Sequence, residues 1–178
     1  MFKIDLLKHT QLIASTIQTD IRSIGLGPSI KEVDPLELFD RLITVPKIRQ
    51  ATRELYQNGY YALAVEECYK CLCNLVKNRS KLLGKSGKPL DGWDLMVQVF
   101  DEKNPILALN ALKTESDENE QRGYRFIFAG VMAGIRNPRA HHHAYMDEAD
   151  RALEMLAWGN HLAAKLKSAK KRNRKKAP

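Results

Sequence analysis

The chain has few cysteines and no long hydrophobic run. Its three cysteines, Cys68, Cys71 and Cys73, lie close together, and an odd number at this spacing provides no disulfide framework. No segment approaches the roughly 18 unbroken apolar residues of a membrane span. Asp5 and Lys8 interrupt the apolar residues of the N-terminal stretch, which is unlike a secretory signal. We therefore expect a protein of the cytoplasm with no membrane association.

Acidic residues are missing from one end of the chain. Residues 165–178 contain eight of the 29 lysines and arginines and none of the 21 acids, so the rest of the chain is balanced and the net charge of +8 belongs to the tail. A basic run of this kind can attract a polyanion by releasing counterions, although many such runs are simply solvated ends. The tail is therefore one candidate for contact with nucleic acid.

Glycine is sparse and β-branched runs are few, while apolar residues recur at three- and four-residue spacing. This pattern predicts an all-α fold, and 178 residues are enough for one domain with a real core. We expect an N-terminal amphipathic helix within residues 1–28, a helical domain over 29–164 and a basic tail over 165–178.

Local signals predict the helix boundaries. Asp34-Pro35-Leu36-Glu37 has the form of a capping box and predicts a short helix to about Leu42. Pro46 opens the next helix, Asn58-Gly59 ends it, and Tyr60 begins a longer one that should run back antiparallel. Later helices are predicted at 91–100, at 121–135 with its start marked by Asp117 and Glu120, and at 146–166. The helix at 121–135 is strongly apolar, so we expect it to be buried on most sides.

The most informative motif is RNPRAH, from Arg136 to His141. Arginine presents a planar fork of donors that suits phosphate, and histidine exchanges protons near neutral pH. Pro138 should kink or end the helix near Arg136. In an unbroken helix His141 would lie about 140° from Arg136, whereas His143 would share its face. A break at Pro138 favours His141, so Arg136, Asn137 and His141 are the candidate site for a phosphodiester.

Other basic residues lie near this motif in the predicted helix. Arg125 is about 20° and Arg122 about 40° from Arg136 on a helical wheel. These two arginines could form a basic stripe, or they could pair with Asp117, Glu118 or other nearby acids. The candidate RNA-contacting residues are Arg122, Arg125, Arg139, Lys170, Lys171 and Arg172.

Three further patterns point to ordinary structure. Gly84-Lys85-Ser86 resembles part of a phosphate-binding loop, but Arg79 occupies the position of the required glycine. Adjacent imidazoles such as 141–143 rarely converge on one ion, and no carboxylate or thiol lies at ligand spacing beside them. Cys68 and Cys71 fall on the apolar stripe of their helix, where a thiol packs as a small hydrophobe. We therefore expect no metal and no cofactor.

Several runs resemble a known family. They are Asn104–Asn110, Leu112–Ser116, Glu120–Tyr124 and Gly130–His141, together with the helical pair around Asn58–Ala64. These runs resemble the bacterial Ymh family, which belongs to the HEPN superfamily of helical domains. The resemblance extends from about Phe39 to Leu166, so neither the predicted first helix nor the basic tail inherits a role from it.

The resemblance implies both a fold and an activity. HEPN proteins are helical bundles that commonly form homodimers, and many are metal-independent ribonucleases of toxin, phage-defence or RNA-processing systems. Their motif of an arginine, a polar residue and a histidine matches Arg136, Asn137 and His141, although the two histidines that follow depart from it. It implies attack of an RNA 2′-hydroxyl on the neighbouring phosphate, and an antitoxin or defence-system protein as a possible partner.

Two other functions compete with this interpretation. The first is a non-catalytic helical module that binds a nucleotide or a protein through the same pocket. The second is a structural or DNA-associated protein directed by its basic tail. RNA cleavage that depends on the Arg136 motif would distinguish the enzyme from both.

Overall fold

A computed structural model describes residues 34–84, 86–141 and 145–172, and the predicted N-terminal helix lies outside these residues. The described chain is all-α, as predicted, apart from a short β-ribbon and an isolated bridge. The helices are α1 (Pro35–Leu42), α2 (Pro46–Gln57), α3 (Tyr61–Ser80), α4 (Gly92–Val99), α5 (Glu115–Val131), a π-helical segment (Met132–Arg136), α6 (Asn137–His141) and α7 (Ala149–Ser168). The ribbon consists of β1 (Leu107–Ala108) and β2 (Lys170–Lys171).

The early helix boundaries follow the local signals in the sequence. The Asp34 side chain accepts a hydrogen bond of 2.9 Å from the backbone N–H of Leu36 and caps α1. Proline stands at the start of both α1 and α2, where its fixed φ suits a helix and its missing N–H costs nothing. Gly59 adopts a φ of 78° in the turn between α2 and α3, a conformation that favours glycine.

Helix α3 lies at the centre of the core, where it packs against α2 and α7. Cys68 is buried in it, as predicted for a cysteine that acts as a small apolar group, but Cys71, for which the same was predicted, is only half-buried. Cys73 is the second buried cysteine. Gly159 of α7 approaches so closely that a Cβ there would lie 2.3 Å from Cys68 Sγ. The hydroxyl of the buried Tyr69 donates to the Met155 carbonyl at 2.8 Å, which fixes α3 against α7.

Helix α5 differs from its prediction in two respects. It begins at Glu115 with Thr114 as its cap, because Thr114 and Asp117 form a reciprocal capping box; the expected start at Asp117 was wrong. Phe126 and Ile127 are exposed, at 54% and 40%, so the expectation of burial on most sides was also wrong. An apolar sequence pattern identifies side chains whose burial is favourable. It does not show whether the chain's own core buries them.

The chain continues as a helix through Pro138, so of the predicted kink or end near Arg136 the end was wrong. The π-helical segment ends at Arg136, and the N–H of Asn137 donates to the carbonyl of Met132, five residues back. Pro138 has no N–H to contribute to a helix, and the wide turn before it absorbs the irregularity. Helix α6 then runs on to His141.

Hydrogen bonds from Arg79 hold the end of the C-terminal helix. Helix α7 starts at Ala149 and continues to Ser168, so both its ends lie slightly later than predicted. The Arg79 guanidinium of α3 donates to the carbonyls of Leu166 at 2.7 Å and Lys167 at 3.1 Å and to that of Ala169. After the residues that Arg79 holds, β2 pairs antiparallel with β1. The first residues of the basic tail are therefore helix and strand.

Candidate functional site

Arg136 lies at the end of the π-helical segment and is held only loosely. Its side chain is 21% exposed, and Nη2 approaches Asp91 Oδ2 at 3.7 Å. Nη1 donates to Asn137 Oδ1 at 3.2 Å. The Nε atom is buried and has no hydrogen-bond partner among the described residues. A buried donor without an acceptor is costly, and an anion bound here would supply the missing acceptor.

Asp91 joins Arg136 to two groups of α3. Its Oδ1 accepts hydrogen bonds from the Gly92 N–H at 2.8 Å, where it caps α4, and from Cys73 Sγ at 2.9 Å. Lys77 Nζ lies 3.1 Å from the same oxygen. Burial raises the pKa of Asp91, but the hydrogen bonds from Cys73, Gly92 and Lys77 outweigh it, so the pKa is lowered. A carboxylate thus holds Lys77 and Arg136 near each other.

Arg139 has the opposite environment. Its side chain and that of Asp147 are only 4% and 5% exposed, and their closest contact joins Nε to Oδ2 at 2.7 Å. Nη1 also donates to the Ile135 carbonyl at 2.8 Å, and the guanidinium stacks 4.6 Å above the ring of Tyr145. Because these contacts occupy its donors, Arg139 orders the motif helix. Its predicted contact with RNA has no exposed donor to support it.

His141 is exposed at the end of α6. Because the chain stays helical from Asn137 to His141, the expected break that would bring His141 to Arg136 is absent. In regular helical geometry the two residues lie about 140° apart around the axis. His142 and His143 lie outside the described residues. The assignment of His141 as the acting histidine therefore stays a prediction.

Arg122 and Arg125 lie near the acids of the segment after α4. Arg122 Nε is 3.7 Å from Glu102, and Arg125 Nη2 is 3.7 Å from Asp101. Arg125 Nε also donates to the Val97 carbonyl at 3.0 Å. Both arginines thus pair with acids, as one of the two alternatives expected. Arg122, at 53% exposure, is the freer of the two.

The basic residues after α7 are exposed on the ribbon. Lys170 and Lys171 form β2 and face solvent, and the Arg172 N–H donates to the Ile106 carbonyl at 2.8 Å. In the described part of the chain, no hydrogen bond or ion pair joins them to Arg136. The structure therefore places these basic residues on the ribbon but does not place them in contact with Arg136.

Sequence reasoning missed a groove beside the cluster of Lys77, Asp91 and Arg136. We call it the α3 groove: a cavity of about 600 Å³ lined by Asn74, Lys77, Asn78, Lys81, Leu82, Leu83 and Pro89. Three of its four polar residues recur at helical spacing along one face of α3, and the fourth, Lys81, is the C-cap of that helix. That spacing was the available signal, but a polar helix face ordinarily indicates only exposure to solvent.

Within residues 34–84, 86–141 and 145–172, no three His, Cys, Asp or Glu side chains come together as a metal site. The same residues contain no helix of the length and apolarity that crossing a bilayer requires.

Comparison with known families identifies the chain. Residues 44–166 match the model of a family described as a protein of unknown function, Hypoth_ymh. The chain belongs to the Hypoth_ymh family. The match includes the RNPRAH motif, Asp91 and the α3 groove, so all three lie within the Hypoth_ymh region. No curated protein and no solved structure matches the chain significantly.

Proposed function

We propose that this protein is a metal-independent endoribonuclease of the HEPN type that works in the cytoplasm. The observation that carries the proposal is the state of Arg136: its Nε is buried without a partner, and its nearest carboxylate is at a long 3.7 Å. In the same motif, Arg139 is fully paired. One arginine is thus free to take an anion while its neighbour holds the helix.

The proposed reaction is attack of a ribose 2′-hydroxyl on the adjacent phosphorus. The 2′-oxygen forms a bond to phosphorus, the bond to the 5′-oxygen breaks, and that oxygen takes a proton from water. The products are a 2′,3′-cyclic phosphate and a free 5′-hydroxyl. The nucleophile is already part of the substrate, so positioning supplies much of the rate. His141 accepts the 2′-hydroxyl proton, Arg136 stabilises charge on the phosphorane-like transition state, and Asn137 orients Arg136 through its hydrogen bond.

A homodimer is part of the proposal. Beyond Arg122, the exposed residues of α5 and the π-helical segment are small or apolar: Gly123, Phe126, Ile127, Gly130, Ala133 and Gly134. A Cβ at any of these three glycines would meet nothing within 4 Å, although glycine in a helix costs about 1 kcal/mol relative to alanine. Nothing inside the described chain requires these glycines, whereas close approach of a second copy would.

The dimer also addresses the separation of Arg136 and His141. The glycine-rich face runs directly into Arg136, so a two-fold axis there would place two motifs across one groove. Arg136 of one copy could then act with a histidine of the other on a single strand. An antitoxin or other defence-system protein would be the partner that restrains this activity.

The test is cleavage of an RNA pool in EDTA, with identification of the new ends. We expect wild type to leave 2′,3′-cyclic phosphates and to spare DNA, which lacks the nucleophile. Arg136→Ala and His141→Ala should lose cleavage, with His143→Ala showing which histidine acts. Arg151→Ala, which removes an exposed arginine of α7, is the matched control. Full cleavage by Arg136→Ala would overturn the assignment.

The non-catalytic module is the second candidate. The roughly 140° between Arg136 and His141 on one helix favours it, because a single copy does not bring the two side chains together. A protein that binds RNA or nucleotide through Arg136 yet leaves labelled RNA intact would support this alternative.

A further inference from the structure

The α3 groove has the chemistry of a site for a polyanion. Among its lining residues are two lysines, two asparagines and no acid. Lysine ammonium groups attract phosphate, and asparagine amides both donate and accept hydrogen bonds. Leu82, Leu83 and Pro89 add apolar surface, and Leu83 is 58% exposed. The volume of about 600 Å³ lies in the range of sites that hold small ligands.

Lys81 occupies a position at which the backbone favours glycine. It is the C-cap of α3 and has a left-handed conformation, with φ 55° and ψ 29°. Glycine commonly stands at such helix ends because it has no Cβ penalty there, and a larger residue costs about 1 kcal/mol or more. The lysine at this strained position places a cation at the rim of the groove.

One carboxylate links the groove to the proposed catalytic arginine. Lys77 lines the groove, and its Nζ lies 3.1 Å from Asp91. The other oxygen of Asp91 lies 3.7 Å from Arg136. Lysine, carboxylate and arginine therefore form a chain of charges from the groove to the RNPRAH motif. A phosphate entering between them would compete with Asp91 for both cations.

We propose that the α3 groove binds the backbone of single-stranded RNA beside the phosphodiester held by Arg136. Lys77 and Lys81 contact phosphates, Asn74 and Asn78 hydrogen-bond to sugar or base edges, and the apolar rim packs against an unpaired nucleotide. This inference rests on the proposed function for the position of the cut, but binding in the groove can be measured without cleavage.

The test uses a single-stranded 2′-O-methyl RNA, which lacks the nucleophile and stays intact. Its affinity is measured by fluorescence anisotropy over a range of salt concentrations. Lys81→Gly removes the cation and relieves the strained backbone, so it should fold at least as stably as wild type. We expect it to weaken binding by up to about fivefold, the worth of one exposed ion pair. The slope of log affinity against log salt should fall by about 0.7, the value for one phosphate on a single strand.

Asn78→Ala removes a groove amide without changing the charge, and it should weaken binding with no change in that slope. Lys113→Ala is the charge-matched control, because Lys113 is exposed and does not line the groove. Wild-type affinity and slope for both groove variants would overturn the proposal, as would an equal loss in Lys113→Ala. Selective weakening in a protein that cuts no natural RNA would support the groove and refute the ribonuclease.

Discussion

Arg139 and Asp147 form a buried, two-pronged ion pair, in which Nε and Nη2 of the arginine each lie 2.7 Å from a different carboxylate oxygen. The pair connects α6 to the segment that leads into α7. Arg139 also donates to the Ile135 carbonyl, next to Arg136. The second arginine of the motif therefore positions the first.

Breaking this ion pair should be strongly destabilising. Asp147→Ala leaves a buried guanidinium without its counter-charge, so we expect a loss of about 3–5 kcal/mol in the free energy of unfolding, measured by urea denaturation. The control is Lys70→Ala, which removes a partly exposed pair with Glu66 and should cost less than about 1 kcal/mol. Equal losses in the two variants would show that the Arg139 pair has no special role.

Gly159→Ala should also destabilise the fold. The new Cβ would lie 2.3 Å from Cys68 Sγ between α3 and α7, and overpacking of a core typically costs about 1–3 kcal/mol. Gly123→Ala, where nothing lies within 4 Å, is the matched control and should be neutral or stabilising in the monomer. Adding Cys68→Ala to Gly159→Ala should restore part of the loss. No recovery would argue against the close contact as the cause.

Gly130→Leu should convert the proposed dimer to a monomer. The side chain would stand on the exposed glycine-rich face and prevent close approach of a second helix, while helix propensity favours leucine over glycine by nearly 1 kcal/mol. Sedimentation velocity measures the mass, and urea denaturation checks the fold. Ala164→Leu, at an exposed position of α7, should leave the dimer intact. A wild-type protein that sediments as a monomer would refute the interface.

Asp91→Asn should remove an acid-sensitive part of the stability. The pKa of Asp91 is lowered in the fold, so its ionised form stabilises the protein above the unfolded-state pKa. That contribution is lost as the pH falls through the folded value. The stability difference between wild type and Asp91→Asn should therefore be present near neutral pH and shrink below about pH 4. A difference independent of pH would point to the helix cap rather than to the charge.

The same substitution should tighten RNA binding. The amide can still cap α4 but no longer attracts Lys77 and Arg136, which then face phosphate without competition. Anisotropy with 2′-O-methyl RNA at low salt should show higher affinity than wild type. Asp94→Asn, which neutralises an exposed acid in the first turn of the same helix, is the control. Weaker binding by Asp91→Asn would mean that the carboxylate is needed to position the cations.

The predictable part of the fold is the part that local chemistry decides. Asp34, Pro46 and Gly59 act on their own turns, so the boundaries of α1 and α2 can be predicted from the sequence. The π-helical segment cannot, because Pro138 permits either a break or a wide turn, and packing with α3 and α4 decides between them. The exposure of Phe126 was likewise decided by packing.

The candidate site is predictable to a similar extent. The RNPRAH motif predicts a role for Arg136, but it does not distinguish that arginine from Arg139, because the difference lies in Asp147 and Tyr145. The link between the α3 groove and Arg136 depends on Lys77 meeting Asp91 across a loop. Contacts of this kind have no local signature.

The π-helical segment makes the spacing of the motif depend on chain length as well as on residue identity. Its wide turn holds one more residue than a regular helix would accommodate over the same rise. A chain one residue shorter between Met132 and Ile135 would therefore form an ordinary α-helix and still present Arg136 at nearly the same angle to α5. One residue fewer within the regular part of α5 would instead rotate Arg136 by about 100° and turn it away from Asp91, although no residue of the motif had changed. A related sequence that lacks one residue at the wide turn can thus still build this site, whereas one that lacks a residue within α5 cannot.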